Sequence, residues 1–284
     1  MLIALVERYL SLRQTLGFTL RNASRNLRAF AQFAADRGNT HIHAATAMAW
    51  ASEAPSPSAR HVRLCDIVHL ARFLHAEDPA HEVPSNPFRA PKCRPQPYIY
   101  TPEEIALLVG AAQRLRDTYP LRRQVYATLI GLIASTGLRV SEALDLRFSD
   151  LLPEGVLQIR RTKFGKSRLV PLHPTAATAL GRYLELRRAL AVTDDHLFLS
   201  AGNRRIGSSM VEYTFRRMRR LAGIAPARTR PPRIHDLRHT VATRALEQCP
   251  TGRAAVARHF VALATYLGHT DITHTYWSTA SGFG

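Results

Sequence analysis

Between residues 78 and 98 the chain reads DPAHEVPSNPFRAPKCRPQPY, with six prolines and neither a helical nor a strand period. Proline locks φ and has no N–H to donate, so neither an α-helix nor a central strand runs through such a stretch. The chain must therefore fold as two parts joined by an extended, semi-rigid connection. At 284 residues there is enough chain for two ordinary domains, and 46% apolar residues supply a core for each. We place a first domain at 1–90, a linker at 91–100 and a second domain at 101–284.

The first part reads as helical. Leu2, Leu5, Val6, Tyr9 and Leu10 form one apolar stripe, and Leu27, Phe30, Phe33 and Ala34 form another. ATAMAWASEA and ARHVRLCDIVHLARFLHAE continue the pattern on either side of PSPS. About four helices are expected up to residue 77, in a small bundle. After the prolines, TPEEIALLV restarts a helix with Thr101 as N-cap, Pro102 at its first position and Glu104 completing a capping box. The second part is predicted helical at 102–115, 121–135, 141–147, 174–191, 208–222 and 236–247. VLQIRRTKFGKSRLVPL alternates, turns at Gly165 and alternates again, as a β-hairpin does. The fold class is thus mainly α (α+β), a helical bundle followed by a mostly helical domain with a small antiparallel sheet.

The formal net charge is +18. A folded chain this basic is expected to meet an anionic polymer, because each phosphate contact releases counterions. The charge is unevenly spread, with +3 in residues 1–90 and +15 in 91–284. No apolar run approaches the roughly 20 residues of a membrane span, and the N-terminal MLIALVERY is broken by Glu7 and Arg8 before it could serve as a signal segment. Cys65, Cys93 and Cys249 are widely separated, which suggests neither a disulfide framework nor a zinc cage. A cytoplasmic protein without membrane contact is expected.

Four segments of the second part could carry chemistry. In STGLRVSEALDL, Gly137 marks a turn, Arg139 opens the next helix and Glu142 shares its face. That is a surface ion pair or an arginine held ready for a phosphate. In RRTKFGKSR, five of nine residues are cationic, so Arg160, Arg161, Lys166 and Arg168 are candidates for tracking a phosphate backbone. Lys163 stands out in a chain with only three lysines against 36 arginines. An ammonium surrenders a proton where a guanidinium does not, which makes Lys163 a candidate general acid, with Lys166 not excluded and a solvated basic turn the bland reading.

In RIHDLRHTVATRAL, His235 and Arg238 are three apart and point the same way, and His239 lies four from His235. A zinc protease would want H-E-x-x-H, but Asp236 takes the Glu position and Arg238 opposes a cation, so no metal is expected. In ATYLGHTDITHTYW, Leu267-Gly268 ends a helix and His269 follows directly, leading to Tyr276.

Taken in order, TGLRVSEAL, TKFGKSRLVPL, HDLRH and LGH…TY resemble the tyrosine recombinase (phage integrase) family. The resemblance covers the whole second part; the helical first part is similar, more weakly, to the family's core-binding domain. It implies a site-specific DNA recombinase that breaks and rejoins duplex DNA through a 3′-phosphotyrosyl intermediate, without metal, ATP or any other cofactor. Tyr276 would attack the phosphodiester, while Arg139 and Arg238 would clamp its nonbridging oxygens. Lys163 would protonate the leaving 5′ oxygen, His235 would assist proton transfer, His269 would hydrogen-bond the phosphate and Glu142 would position Arg139. The implied partner is double-stranded DNA, with a homo-tetramer assembled on it.

The tail departs from the family. Many members place the tyrosine about nine residues after the LGH histidine, where this chain has Ser278, and Tyr276 comes seven after His269. Relatives also commonly continue into a further helix, where this chain has STASGFG, so the free protein is expected to be a monomer. Either Tyr276 reaches the phosphate in a shifted register, the reading taken here, or the chain is a catalytically impaired recombinase-fold DNA-binding protein. Tyr266, ahead of His269 on a helix, is a distant third candidate for the nucleophile, with packing its expected role. A type IB topoisomerase, of similar chemistry, is a third reading that the separate helical domain disfavours.

Overall fold

The computed structural model describes residues 2–18, 20–88, 96–160, 167–225, 230–249 and 252–268. It divides into two compact units, Met1–Pro95 and Gln96–Gly284. Among the described residues, no helix is long and apolar enough to cross a membrane.

The first unit contains α1 (Leu2–Thr15), α2 (Arg21–Ala35), α3 (Ala44–Ser52) and α4 (Pro57–His75). The stripes read from the sequence meet at its centre: Leu2, Val6 and Leu10 of α1, Leu27 and Phe30 of α2, Trp50 of α3, and Leu64, Ile67 and Leu70 of α4. The PSPS interruption starts α4, with Ser56 accepting a hydrogen bond from the Ala59 N–H at 3.2 Å and Pro57 at the first helical position.

The beginning of the proline-rich stretch is not a free spacer. The Ile42 N–H donates to His81 Nδ1 at 3.1 Å, the Glu82 N–H to the Ile42 carbonyl at 2.8 Å, and the Ala44 N–H to Glu82 Oε2 at 2.6 Å. Farther on, Asn86 donates to the His61 carbonyl at 3.1 Å, and Phe88 packs on the bundle core. Proline rules out a helix here but not a strap, because side chains and the remaining N–H groups still find partners on the bundle.

His81 is buried, and it accepts the Ile42 N–H only when Nδ1 is unprotonated. Burial, then the nearby His41, lower its pKa below the usual imidazole value, against an opposing pull from Asp78. A depressed pKa means that the neutral form stabilises the fold above the unfolded pKa of about 6.5 and that this stability is lost as pH falls through the folded value. The first unit is therefore expected to lose stability between pH 7 and pH 5. Substitution His81→Gln, with an uncharged acceptor, should flatten that slope in urea titrations across this range; an unchanged slope would show that another group is responsible.

The second unit is built around α6 (Arg122–Thr136), whose broad apolar face buries Val125, Tyr126, Leu129, Ile130, Leu132 and Ile133. Packed in the same core are α5 (Pro102–Gln113), α8 (Pro174–Arg188), α9 (Ser208–Leu221) and α10 (Ile234–Glu247), with Leu108, Leu180, Phe215 and Leu237 as their contributions. The expected capping box of α5 is present, with Thr101 Oγ1 accepting the Glu104 N–H and Glu104 accepting the Thr101 N–H. Tyr100, assigned to the linker from the sequence, is fully buried in this unit, its N–H donating to Thr240 Oγ1 at 2.9 Å.

A short helix α7 (Val140–Leu144) follows α6. The expected hairpin is present as β2 (Val156–Ile159) and β3 (Arg168–Pro171), with an additional two-residue strand β1 (Leu151–Leu152), in an antiparallel sheet of order β1-β2-β3. Its register pairs Val156 with Pro171, Leu157 with Val170 and Ile159 with Arg168, so Leu157, Ile159 and Val170 are buried together. The last described helix, α11 (Arg253–Leu267), packs on α10 through Leu263 and Leu267 against Ala242 and Leu246. From its sequence only the Gly268 end is marked, although Val256, Phe260, Leu263 and Leu267 also fall at helical spacing.

Candidate active site

The site forms where α6 stops, α7 starts and α11 ends. Helix α6 terminates at Gly137, whose φ of +66° reverses the chain and sends Arg139 into the N-cap of α7. A side chain at Gly137 would stand 2.9 Å from Leu267 Cδ2 and 3.2 Å from Val241 Cγ1, so this glycine also lets α10 and α11 close on the turn.

Arg139 and Glu142 bond in two ways. The Glu142 carboxylate accepts the Arg139 backbone N–H at 2.9 Å and Arg139 Nη1 at 2.6 Å. Glu142 is buried, and burial alone would raise its pKa. Hydrogen bonds from Arg168 and from the Arg139 backbone outweigh that and hold the carboxyl down at about 2. It is therefore a permanent anion at the foot of Arg139, not the exposed pair that the spacing allows.

Helix α10 supplies Arg238. Its start is set by Asp236, which caps the helix by accepting the Arg233 N–H at 2.8 Å and Arg233 Nη2 at 3.0 Å. A buried capping role, rather than general-base work, accounts for an acid at this position. From this anchored first turn Arg238 projects inward, 3% exposed, donating from Nη1 to the Gly137 carbonyl at 2.7 Å and from Nη2 to the Leu267 carbonyl at 2.6 Å. Arg139 Nη2 donates to the next carbonyl, Gly268, at 2.8 Å. The two guanidinium groups are thus seated side by side on consecutive carbonyls at the C-terminus of α11. Burial, then the charge of Arg139, pulls the Arg238 pKa down to about 9, still a cation at neutral pH. These two adjacent cations, with the single buried carboxylate of Glu142 paired to Arg139, leave a concentrated positive field, which favours an anion.

His235, one turn before His239 on α10, has its ring edge-on to the ring of His239, with centroids 4.9 Å apart and planes at 88°. His235 is an exposed residue on a crowded, positively charged rim. The protein packed around it, then His239 and Arg238, lower its pKa, so it is neutral at pH 7 and able to accept a proton. Burial likewise lowers the pKa of His239.

Of the cations expected along the hairpin tip, Arg160 is half-exposed and pairs with Asp150 at 2.5 Å. Arg168 turns inward instead. Its side chain is 9% exposed, with Nη1 and Nη2 donating to the two Glu142 oxygens at 3.1 and 2.8 Å, and Nε donating to the Tyr266 carbonyl at 2.7 Å. The signal for this is in the strand parity: Arg168 lies two residues before buried Val170, while Leu169 between them is 57% exposed. Tyr266 is half-buried and packs against the core, as expected. Arg161, Lys163, Lys166, His269 and Tyr276, with Ser278, lie outside the described residues.

With this geometry established, known proteins offer comparisons. Residues 99–282 match the Phage integrase family. A putative integrase/recombinase of Sinorhizobium fredii is 37% identical over 96% of this chain and 90% of its own length. The tyrosine recombinase XerD of Caulobacter vibrioides is 32% identical over 78% of this chain and 70% of its own. Among solved structures, a lambda integrase tetramer bound to a Holliday junction superposes with a TM-score of 0.68 at 19% identity, over 97% of this chain and 76% of that one, a likeness of fold.

Proposed function

Because this chain belongs to the phage integrase family, we propose that it is a site-specific recombinase that breaks and rejoins duplex DNA by transesterification through a 3′-phosphotyrosyl link. The observation that carries the reading is the seating of Arg139 and Arg238 on the adjacent carbonyls of Gly268 and Leu267, with Glu142 fixed beneath. Two rigid forks held side by side suit the two nonbridging oxygens of one phosphodiester. Their charge is in place before reaction, so it stabilises the extra negative charge of a pentacoordinate phosphorane without reorganisation.

In this reading the phenol of Tyr276 attacks phosphorus, the phosphorus–O5′ bond breaks, and the leaving 5′ oxygen takes a proton from Lys163. A phenol with a pKa of about 10 needs its proton removed as it attacks, and the neutral imidazole of His235 is suited to assist. His269 donates to a phosphate oxygen. Attack by a 5′ hydroxyl on the phosphotyrosine reverses the chemistry, so the bond energy is retained and no nucleotide cofactor is needed. Helix α9 presents Arg216, Arg217 and Arg220 away from its buried Val211, Phe215 and Met218, a basic face suited to DNA phosphates. The first unit is the core-binding domain, and the second is the catalytic domain. The protein assembles as a tetramer on two duplexes.

The deciding experiment is covalent trapping on nicked duplex DNA carrying the element's own end sequence. Wild type should yield a protein–DNA adduct that maps to the peptide containing Tyr276. Tyr276→Phe should yield none while binding the same DNA with the same steep salt dependence. Tight, salt-sensitive binding with no adduct from wild type would instead mean a DNA-holding protein that does not cleave.

A further inference from the structure

Three arginines end on three consecutive carbonyls of α11. Arg168 takes Tyr266, Arg238 takes Leu267 and Arg139 takes Gly268. The last two belong to the proposed phosphate clamp. Arg168 enters from a different element, the first residue of β3, and joins all the parts of the site that have to be held in register. With one guanidinium it bonds both oxygens of Glu142 and the end of α11, while Glu142 bonds both the backbone and the side chain of Arg139. A carboxylate between two arginines is gripped from both sides, and its orientation is set by the more deeply buried partner, here Arg168 at 9% exposure against 29% for Arg139. The packing leaves Arg168 little latitude, since a Cβ on Gly268 would stand 2.7 Å from its Nη1.

We propose that Arg168 is a positioning residue for strand cleavage, acting through Glu142 and the α11 terminus to hold Arg139 in its phosphate-binding pose. The inference rests on the recombinase reading for its kinetic consequence but not for the electrostatic hold itself. It also separates Arg168 from the DNA-tracking cations of the hairpin. A backbone contact would act on affinity and its salt dependence, whereas a positioning residue acts on the cleavage step. Loss of Arg168 removes the leading force that keeps Glu142 ionised, so its pKa rises. Glu142 then protonates and releases Arg139 as pH falls, so cleavage acquires an acid limb from Glu142 that wild type, with this carboxyl held at about 2, does not have.

The test compares wild type, Arg168→Gln, Arg168→Lys, Glu142→Gln and Arg168→Gln/Glu142→Gln in single-turnover cleavage of nicked duplex DNA. Binding is measured on the same DNA, and folding is checked by thermal melting. Arg168→Gln is expected to slow cleavage on the order of 10²-fold, the scale of losing one preorganised donor, with DNA affinity and salt slope within about twofold of wild type. Its rate should fall further towards pH 5. Arg168→Lys, able to hold one oxygen of Glu142, should recover part of the loss and fold where Arg168→Gln does not. The double variant should be no slower than Arg168→Gln, because both changes break one chain of contacts.

Weaker binding with a shallower salt slope and an unchanged cleavage rate would overturn the proposal in favour of a DNA contact. Additive losses in the double variant would also overturn it. A separate reading comes from the Glu142 carboxyl titration followed by carbon NMR in free wild type and Arg168→Lys. A carboxyl that titrates identically in the two overturns the hold. An upward shift supports it even if wild type forms no adduct, the result that would sink the recombinase reading alone.

Discussion

Arg238→Lys is expected to lower the single-turnover rate of DNA cleavage by on the order of 10³, a larger effect than any other single change in the clamp. A guanidinium at this position does two jobs at once. It donates to the Gly137 and Leu267 carbonyls, which fixes it between α6 and α11, and in the proposed function its remaining N–H groups meet a phosphate oxygen. An ammonium is a single compact charge and cannot span both carbonyls while also meeting a phosphate in forked geometry. One buried carbonyl then loses its donor, at a cost of about 1–3 kcal/mol, so the melting temperature should fall as well. The kinetic effect is measured at a temperature where the variant is fully folded, with DNA affinity determined alongside. A cleavage rate within tenfold of wild type would show that Arg238 serves only to join the helices.

Gly137→Val is the second large effect, and it acts first on the fold. A φ of +66° is left-handed backbone that costs an L-residue about 1–2 kcal/mol, and a β-branched side chain adopts it poorly. The first atom of that side chain would already meet Leu267 Cδ2 at 2.9 Å and Val241 Cγ1 at 3.2 Å. Overpacking of this kind costs about 1–3 kcal/mol. The combined loss should move the denaturant midpoint well below that of wild type. Because the Gly137 carbonyl seats Arg238, cleavage should be lost even under conditions where the fold survives. Gly131→Ala, within α6 with nothing inside 4 Å of the added Cβ, is the control and should be neutral or slightly stabilising. If Gly137→Val matched that control, the turn would not carry the constraint assigned to it.

These two residues illustrate how much of the protein could be read without coordinates. Arg139, Glu142, His235 and Arg238 sit in short motifs whose internal spacing already placed them on helix starts, and three of those four stand in one cluster at the end of α11, while His235 is near enough for the charge of Arg238 to act on it. Local rules were sufficient there because a capping box, a C-terminal glycine and a three-residue offset are properties of a single segment. The same rules found the helical stripes of α1 to α4 and the hairpin of β2 and β3.

Other assignments needed contacts between distant segments. Tyr100 looks like linker because proline surrounds it, yet its partners are Thr240 and the Arg233 carbonyl, far along the chain on α10. The strand β1 is only two residues long and exists because β2 gives it a neighbour. The sequence around Asp236 argues against a metalloprotease but leaves its role open, which its carboxylate fills by capping α10.

Charge was the most deceptive guide. Arg168 sits in a run of five cations and invites the role of a DNA contact, but it spends its charge on buried Glu142. The sequence by itself determined the two-part organisation, the helical class, the basic second unit and the order of the reactive residue types, because each of these follows from composition, periodicity and local stereochemistry. Only the tertiary structure decided what each arginine is tied to, Arg168 to buried Glu142 and Arg139 and Arg238 to the carbonyls that end α11, because that depends on which carboxylate or carbonyl from another element arrives within hydrogen-bonding distance.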